Sequence, residues 1–232
     1  IVGGSYFLGN GIIEALKQNN DEIYVLNRGS KLITDTHQLI ADRNDCQALS
    51  QVIGKNYFDL VIDTCCYSVE QAQILQAIIA DQYSYFINIS SASVYSDGSN
   101  PPYHESFARN GHSSWGEYGI QNALVDQYLC SLNKNITSLI PPYLYGKDNY
   151  LDREHLLFAM ILADKSVHIP NDGQTYLHFI TPQEIGDIII KLFNSHKKLP
   201  ILNVASELAK ISMIDYVHLL FDIAEKPYKI TH

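Results

Sequence analysis

The chain has 232 residues, 46% hydrophobic and 18% charged, enough apolar material for one large core and too ordered a composition for a disordered segment. A formal net charge of −9, with no basic cluster beyond Lys197-Lys198, argues against nucleic acid as a partner, since phosphates call for a basic patch. No run approaches the ~18 apolar residues of a membrane-spanning helix, and no secretory signal is visible. The four cysteines, Cys46, Cys65, Cys66 and Cys130, form no CxxC pair and read as reduced thiols of a cytoplasmic protein.

The chain opens on Ile1-Val2 and runs straight into Gly3-Gly4. A strand entering a glycine turn usually has more residues before it, so the expectation is a first strand entered partway, with some natural N-terminus missing. Short apolar runs then alternate with longer amphipathic ones, the pattern of βαβ units. Strands are expected at Ile23–Leu26, Leu39–Ile40, Leu60–Asp63, Tyr85–Ile89 and Thr137–Ile140. Helices are expected at Gly9–Lys17, Cys46–Ile53, Ser68–Ala80 and Tyr118–Leu132. In the third of these, Val69, Ala72, Leu75 and Ile79 fall at the spacing that faces a sheet. Together the elements predict an α/β fold with a doubly wound parallel sheet over residues 1–140.

After Pro141-Pro142 the texture changes. An irregular stretch with Tyr143, Tyr145, Gly146 and Tyr150 precedes a helix at Arg153–Ala163, a strand-like Val167–Ile169 and a turn at Pro170–Gly173. A helix at Pro182–Phe193, a strand at Ile201–Val204 and a helix near Met213–Ala224 complete the chain. Residues 141–232 are expected to form a small, shortened α/β substrate lobe interleaved with the first part. No repeat or low-complexity segment is present.

Gly3, Gly4 and Gly9 lie between the first strand and the first helix. Glycine there lets the backbone approach a pyrophosphate, and the helix N-terminus presents free N–H groups and the positive end of its dipole. Tyr6 stands where the usual fingerprint has its central glycine, and tight-turn glycines also serve geometry alone. The second strand ends Asn27-Arg28-Gly29. NAD sites usually place an acid here for the ribose 2′-hydroxyl, whereas an arginine suits the 2′-phosphate of NADP. The residues favour NADP over NAD, although an arginine in a surface turn reads equally well as solvent-exposed.

Several segments in one order resemble an extended short-chain dehydrogenase/reductase of the NAD-dependent epimerase/dehydratase type. Residues 3–9 resemble its GGxGFxG turn, Ala41–Asp45 its GDxRD segment, and Ile89–Tyr95 its SSxxVYG strand end. Pro141–Gly146 resembles RPxxVYG, and His178–Ile185 stands where DFIHVxDL is usual. Asn27-Arg28-Gly29 and Asp148–Glu154 are similar to a subgroup that holds bacterial epimerase-like proteins and the chloroplast stem-loop RNA-binding proteins.

The resemblance implies a Rossmann fold and a set of roles. Gly3, Ser5, Tyr6, Phe7, Leu8 and Gly9 would cradle the dinucleotide, with Asn27 and Arg28 at its ribose. Asp42 would contact the adenine amino group, Arg43 would flank the ring, and Thr64, Cys65, Cys66 and Pro141 would line the cofactor. Ser91 matches the catalytic serine and Tyr118 the catalytic tyrosine, the proton-exchanging group beside the nicotinamide. Ser93, Tyr143, Asn149, Arg153 and His178 would meet a nucleotide-linked sugar. Relatives pair through two helices, which here are those after Ser68 and Tyr118, giving a homodimer.

One position departs from the pattern. Free tyrosine ionises near pH 10, too high for a base at neutral pH, and the family supplies a lysine four residues on, one helical turn along the same face. Here that residue is Asn122, which can hydrogen-bond a ribose but carries no charge. His112, His155 and His178 have no metal-ligand spacing, so no metal is expected. The sequence therefore leaves three functions open. They are an epimerase, dehydratase or reductase on a nucleotide sugar; a dinucleotide-binding sensor or subunit with impaired catalysis; and an RNA-binding relative.

Overall fold

The computed structural model describes residues 1–99, 101–207 and 210–232. In chain order, α1 (Phe7–Gln18), β1 (Tyr24–Asn27), β2 (His37–Ile40), α2 (Cys46–Ile53), β3 (Phe58–Asp63), α3 (Val69–Ile79) and β4 (Tyr83–Ile89) come first. Then follow α4 (Gly116–Ser131), β5 (Ile136–Ile140), β6 (Tyr143–Leu144), α5 (Glu154–Leu162), β7 (Val167–His168) and β8 (Tyr176–Ile180). Last are α6 (Pro182–Ser195), β9 (Ile201–Asn203), β10 (Lys210–Ser212), α7 (Met213–Ile223) and β11 (Ile230–Thr231).

The main sheet is parallel throughout. β3, β4, β5 and β9 are neighbours in that order, and β1 pairs with β2. Val2 joins the two groups, bridging Leu26 on one side and Asp63 on the other, both in parallel. The chain thus winds outward in one direction through β1 and β2, then back across Val2 to β3 and beyond. The order reverses at Val2, and in open α/β sheets ligands bind in the crevice at such a point.

Parallel strands need helices on both faces, so their middles should read as unbroken apolar runs. Val61, Ile62, Tyr85, Phe86, Ile87 and Ile89 are all buried. On one face α1 and α6 pack together through Ile12, Ile13 and Leu16 against Ile185, Ile189 and Leu192. Their axes come close because Gly186 has no side chain; a Cβ there would sit 2.5 Å from that of Ala15. On the other face α2, α3 and α4 contribute Leu49, Ile53, Leu75, Ile79, Val125 and Leu129.

Local signals set the helix starts. Asp45 accepts from the amides of Gln47 and Ala48, Ser68 caps α3, and Thr181 with Glu184 forms a capping box before Pro182. The expected element order is present, with shifted ends. α1 begins at Phe7 rather than Gly9, and α4 at Gly116 rather than Tyr118, so Tyr118 lies inside the first turn. A second small sheet, β10-β8-β6, was not anticipated; its outer strands have only three and two residues, too short for a periodic signal. Beyond it α5, α7 and β7 enclose a separate core of Ile161, Val167, Ile169, Val217, Leu220 and Phe221.

Candidate active site

The glycine turn lies at the crevice. Gly3 and Gly4 have φ of +96° and +90°, a region that favours glycine. A Cβ on Gly3 would lie 2.3 Å from Thr64 Oγ1, and one on Gly9 would lie 2.1 Å from Gly4 Cα. Gly9 is thus what lets α1 start directly against the turn. Tyr6 precedes the helix with no side-chain cap, and no acid stands in the first turn, so the leading N–H groups and the positive dipole end are not neutralised. Ser5 and Phe7 are buried, Leu8 is half-buried and Tyr6 is exposed. Phe7 meets Tyr150 edge-on at 6.4 Å, and Lys31 lies 5.7 Å over the Tyr6 ring.

At the end of β1, Asn27 Oδ1 accepts from the Gly29 amide and from Gln38 Nε2. Its Nδ2 is buried with no partner among the described residues. Arg28 beside it is exposed. Asp42 Oδ1 accepts from Asn44 N and Nδ2, holding the following turn, while Arg43 turns inward and pairs with Asp63. Thr64 Oγ1 donates to the Val2 carbonyl. Burial pushes the thiols up, Cys65 to about 11 and Cys66 to about 12, so both stay protonated at neutral pH.

Backbone contacts join the turn after Ser91 to the loop that leads into α4. Ser91 follows β4 and caps a short 3-10 turn, its Oγ accepting from Ser93 N; Ser93 Oγ is buried without a partner among the described residues. Pro141 closes the turn by accepting from Ala92 N. The loop before α4 folds onto this turn, with Gly111 N donating to Val94 O and His112 N to Ser93 O. Gly119 makes room for it, since a Cβ there would meet Ser93 O at 2.8 Å. Tyr118 is 45% exposed and open to a ligand. Asn122 is buried, and its Nδ2 donates to the carbonyl of Tyr118, one turn back on the same helix. One turn further, the buried Asp126 accepts from Ser90 Oγ at 2.7 Å and Asn88 Nδ2 at 3.3 Å, clasping α4 to the end of β4. Sequence reasoning assigned no role to Asp126 or Asp63; for Asp63 the available signal was an acid directly after the apolar run Leu60-Val61-Ile62.

The second part of the chain places its residues unequally. Tyr143 lies on β6 with the Arg153 guanidinium 5.0 Å over its ring, and Phe179 and Tyr145 extend the aromatic surface. Asn149 is buried and committed to the local turn, donating to Glu154 and accepting from Leu151 N. His178 Nε2 lies 3.2 Å from the Ser206 carbonyl, within β8. Among the described residues no group of three or more His, Cys, Asp or Glu side chains could hold a metal ion, and no helix is long and apolar enough to cross a membrane.

The geometry around Val2 suits the phosphate-bearing part of a dinucleotide: glycines at positive φ, an uncapped helix N-terminus, and a buried Asn27 amide donor with no partner among the described residues.

Known proteins share this fold. Among solved structures, a UDP-glucose 4-epimerase with UDP-glucose from Thermotoga maritima superposes with a TM-score of 0.81 at 16% identity, covering 99% of this chain and 84% of that one. A Bordetella bronchiseptica enzyme in complex with NAD and UDP gives 0.82 at 13% identity, covering 100% and 81%. At these identities the likeness is one of fold. Among curated proteins, the chloroplast stem-loop binding protein of 41 kDa b of Arabidopsis thaliana is 24% identical over 228 residues, 89% of this chain. The match spans 58% of that relative's length. The profile of the NAD dependent epimerase/dehydratase family matches residues 1–205, most of the molecule. With its sheet reversing at a glycine turn, the chain belongs to the NAD dependent epimerase/dehydratase family.

Proposed function

We propose that this protein binds a nicotinamide dinucleotide, NADP in preference to NAD, and acts on a nucleotide-linked sugar. The observation that carries the reading is the uncapped N-terminus of α1 behind Gly3, Gly4 and Gly9, where the strand order reverses. Ser5, Tyr6, Phe7 and Leu8 would complete the cradle. Asp42 and Arg43 would lie on the adenine side, and Thr64, Cys65, Cys66 and Pro141 would border the crevice toward Ser91. No acid stands at position 27 or 28, and the exposed Arg28 with Asn27 Nδ2 offers donors where a 2′-phosphate would lie.

When bound, the dinucleotide supplies hydride transfer to and from a sugar carbon. This chain's part is to orient the sugar and move a proton. Ser91 and Ser93 would hydrogen-bond it, and Tyr118 Oη would exchange a proton with its hydroxyl. Tyr143 and Arg153 would present an aromatic and cationic surface to the nucleotide, with Asn149 and His178 shaping the pocket wall. Titration with millimolar NADP and NAD, read as melting temperature, tests the first step, because a ligand bound only by the folded state raises it by mass action. No shift with either would refute the reading.

Asn122 favours a second reading, a dinucleotide-binding sensor or subunit with weak turnover, since its amide supplies no positive charge on the tyrosine's helix face. RNA binding, suggested by the chloroplast relative's name, has the net charge of −9 against it. A salt-dependent RNA titration distinguishes it. Residues 1–140 would form the dinucleotide-binding part and 141–232 the substrate lobe of a cytoplasmic homodimer. Ile120 and Leu124, exposed one turn apart on α4, support pairing through α3 and α4, which sedimentation would test.

A further inference from the structure

The acid that ends β3 is fully buried beside the glycine turn. Asp63 is 1% exposed, and Arg43 grips it with both terminal nitrogens, Nη1 to Oδ1 at 2.8 Å and Nη2 to Oδ2 at 2.9 Å. Asp63 Oδ1 also accepts from Cys65 N, and Arg43 Nη1 lies 3.3 Å from Cys65 Sγ. The backbone of Asp63 bridges Val2, the residue before the glycine turn, and Cys65 Sγ would lie 3.2 Å from a Cβ on Gly3. The pair therefore reaches from the turn after β2, across the first strand, to the loop after β3. It ties the segment carrying Asp42 to the wall of the glycine turn.

A planar guanidinium has five N–H donors in a fixed fork. Here the two terminal nitrogens bond Asp63, and Arg43 Nε is buried with no acceptor among the described residues. A buried unpaired donor is costly, and each one in a native structure calls for an explanation. Because the carboxylate fixes the guanidinium plane, it also fixes where that Nε–H points. Lysine could supply the charge but neither the fork nor the direction.

We propose that Asp63 is a positioning residue for dinucleotide binding, holding Arg43 so that its Nε–H donates to the adenosine half of the ligand. The proposal rests on the dinucleotide reading given above and names the residue that orders its adenine side. It accounts for a carboxylate buried at the end of β3, where the sheet order reverses.

The test is the affinity of AMP and NADP for wild type, Arg43→Lys, Asp63→Asn, and the double variant Arg43→Met with Asp63→Leu. Each single variant is expected to weaken both ligands about tenfold or more, the scale of a lost charge-assisted hydrogen bond. Combining Arg43→Lys with Asp63→Asn should cost no more than the worse single change, as for two groups acting as one unit. Breaking one side of a buried pair also destabilises the fold, whereas replacing both partners by apolar groups is often neutral. The Met/Leu variant is therefore expected to melt close to wild type yet bind AMP and NADP at least tenfold more weakly. A well-folded Met/Leu variant binding both ligands as tightly as wild type would overturn the proposal, and so would single variants that lose melting temperature but no affinity. If the wild type binds neither NADP nor NAD, the dinucleotide reading itself falls and takes this inference with it; wild-type binding with unchanged variants removes the inference alone.

Discussion

The two ends of the crevice are built by different means. At the glycine turn, geometry is a property of the main chain: positive φ at Gly3 and Gly4, an open helix N-terminus, and no space for a Cβ at Gly9. Around Ser91 and Tyr118 it is a property of side chains and loop contacts, with Asp126 clasping Ser90 and Asn122 folded onto its own helix. A main-chain site fails all at once when its backbone is disturbed. A side-chain site can keep its shape and lose its chemistry through one residue, and position 122 is where that has room to happen.

The sharpest way to break the comparison is at Gly9. A Cβ 2.1 Å from Gly4 Cα meets backbone, which cannot swing away, so Gly9→Ala should displace the turn and cost about 3 kcal/mol of stability, the upper range for overpacking. Gly9→Glu adds charge against the phosphate position and should abolish any melting-temperature rise with NADP. Denaturant unfolding and thermal titration of both variants check this; a Gly9→Ala protein with wild-type stability and binding would show that the turn yields.

The next effect is catalytic. Removing a positioned general acid–base group typically costs 10²–10⁴-fold. Tyr118→Phe should therefore remove turnover of a nucleotide sugar, while Ser91→Ala should lower it strongly. With an amide at 122 in place of the family's lysine, wild-type turnover is expected to be slow at pH 7. Asn122→Lys should raise the rate at pH 7, and Tyr118→Phe should cancel that gain. Brisk turnover at pH 7 that survives Tyr118→Phe would place the acid–base group elsewhere.

What the sequence disclosed follows the same division. The main-chain site was legible because glycine spacing and strand–helix alternation are local: the turn, the order of α1 through β5 and most helix starts follow from neighbouring residues. Side-chain partnerships were not. Arg43 and Asp63 are 20 residues apart, and nothing near either names the other. Asn149 reads as a free polar group next to an aromatic run, yet Glu154 five residues on fixes it in a turn. Asn122 was legible as a missing charge but not as an amide bonded to Tyr118 O, since that depends on how deeply α4 is buried. β6 and β10 gain their hydrogen bonds only from β8, so short segments with no pattern of their own become strands by pairing.

A smaller effect sharpens the ribose end. Arg28 is exposed and next to the unpaired Asn27 amide, so a 2′-phosphate there would gain a charge-assisted contact of about 1.5–3 kcal/mol. Arg28→Ala should weaken NADP by that amount and NAD far less, as measured by calorimetric titration. Equal losses for the two would show that Arg28 does not meet the 2′-phosphate.

The smallest expected effect belongs to Asp126 and separates the two ends by pH. Burial raises its carboxyl to about 6, against 3.8 when free, and the bonds from Ser90 and Asn88 oppose that rise only in part. Arg109 is the cation that acts on it, but its guanidinium is bonded to the carbonyls of Glu105 and Phe107. Between these two pH values the folded chain binds a proton that the unfolded chain does not. Stability from this group is therefore complete below pH 3.8, declines through the interval, and is lost as pH rises through about 6. Each pH unit within the interval corresponds to about 1.4 kcal/mol. Asp126→Asn carries no proton to lose, so its stability relative to wild type should be greatest at pH 7 and shrink by about 1 kcal/mol by pH 5. Because every other carboxylate titrates alike in both proteins, the difference between their urea midpoints isolates the one group. Parallel midpoints from pH 7 to pH 5 would mean that Asp126 stays ionised, and that the clasp between β4 and α4 is indifferent to acid.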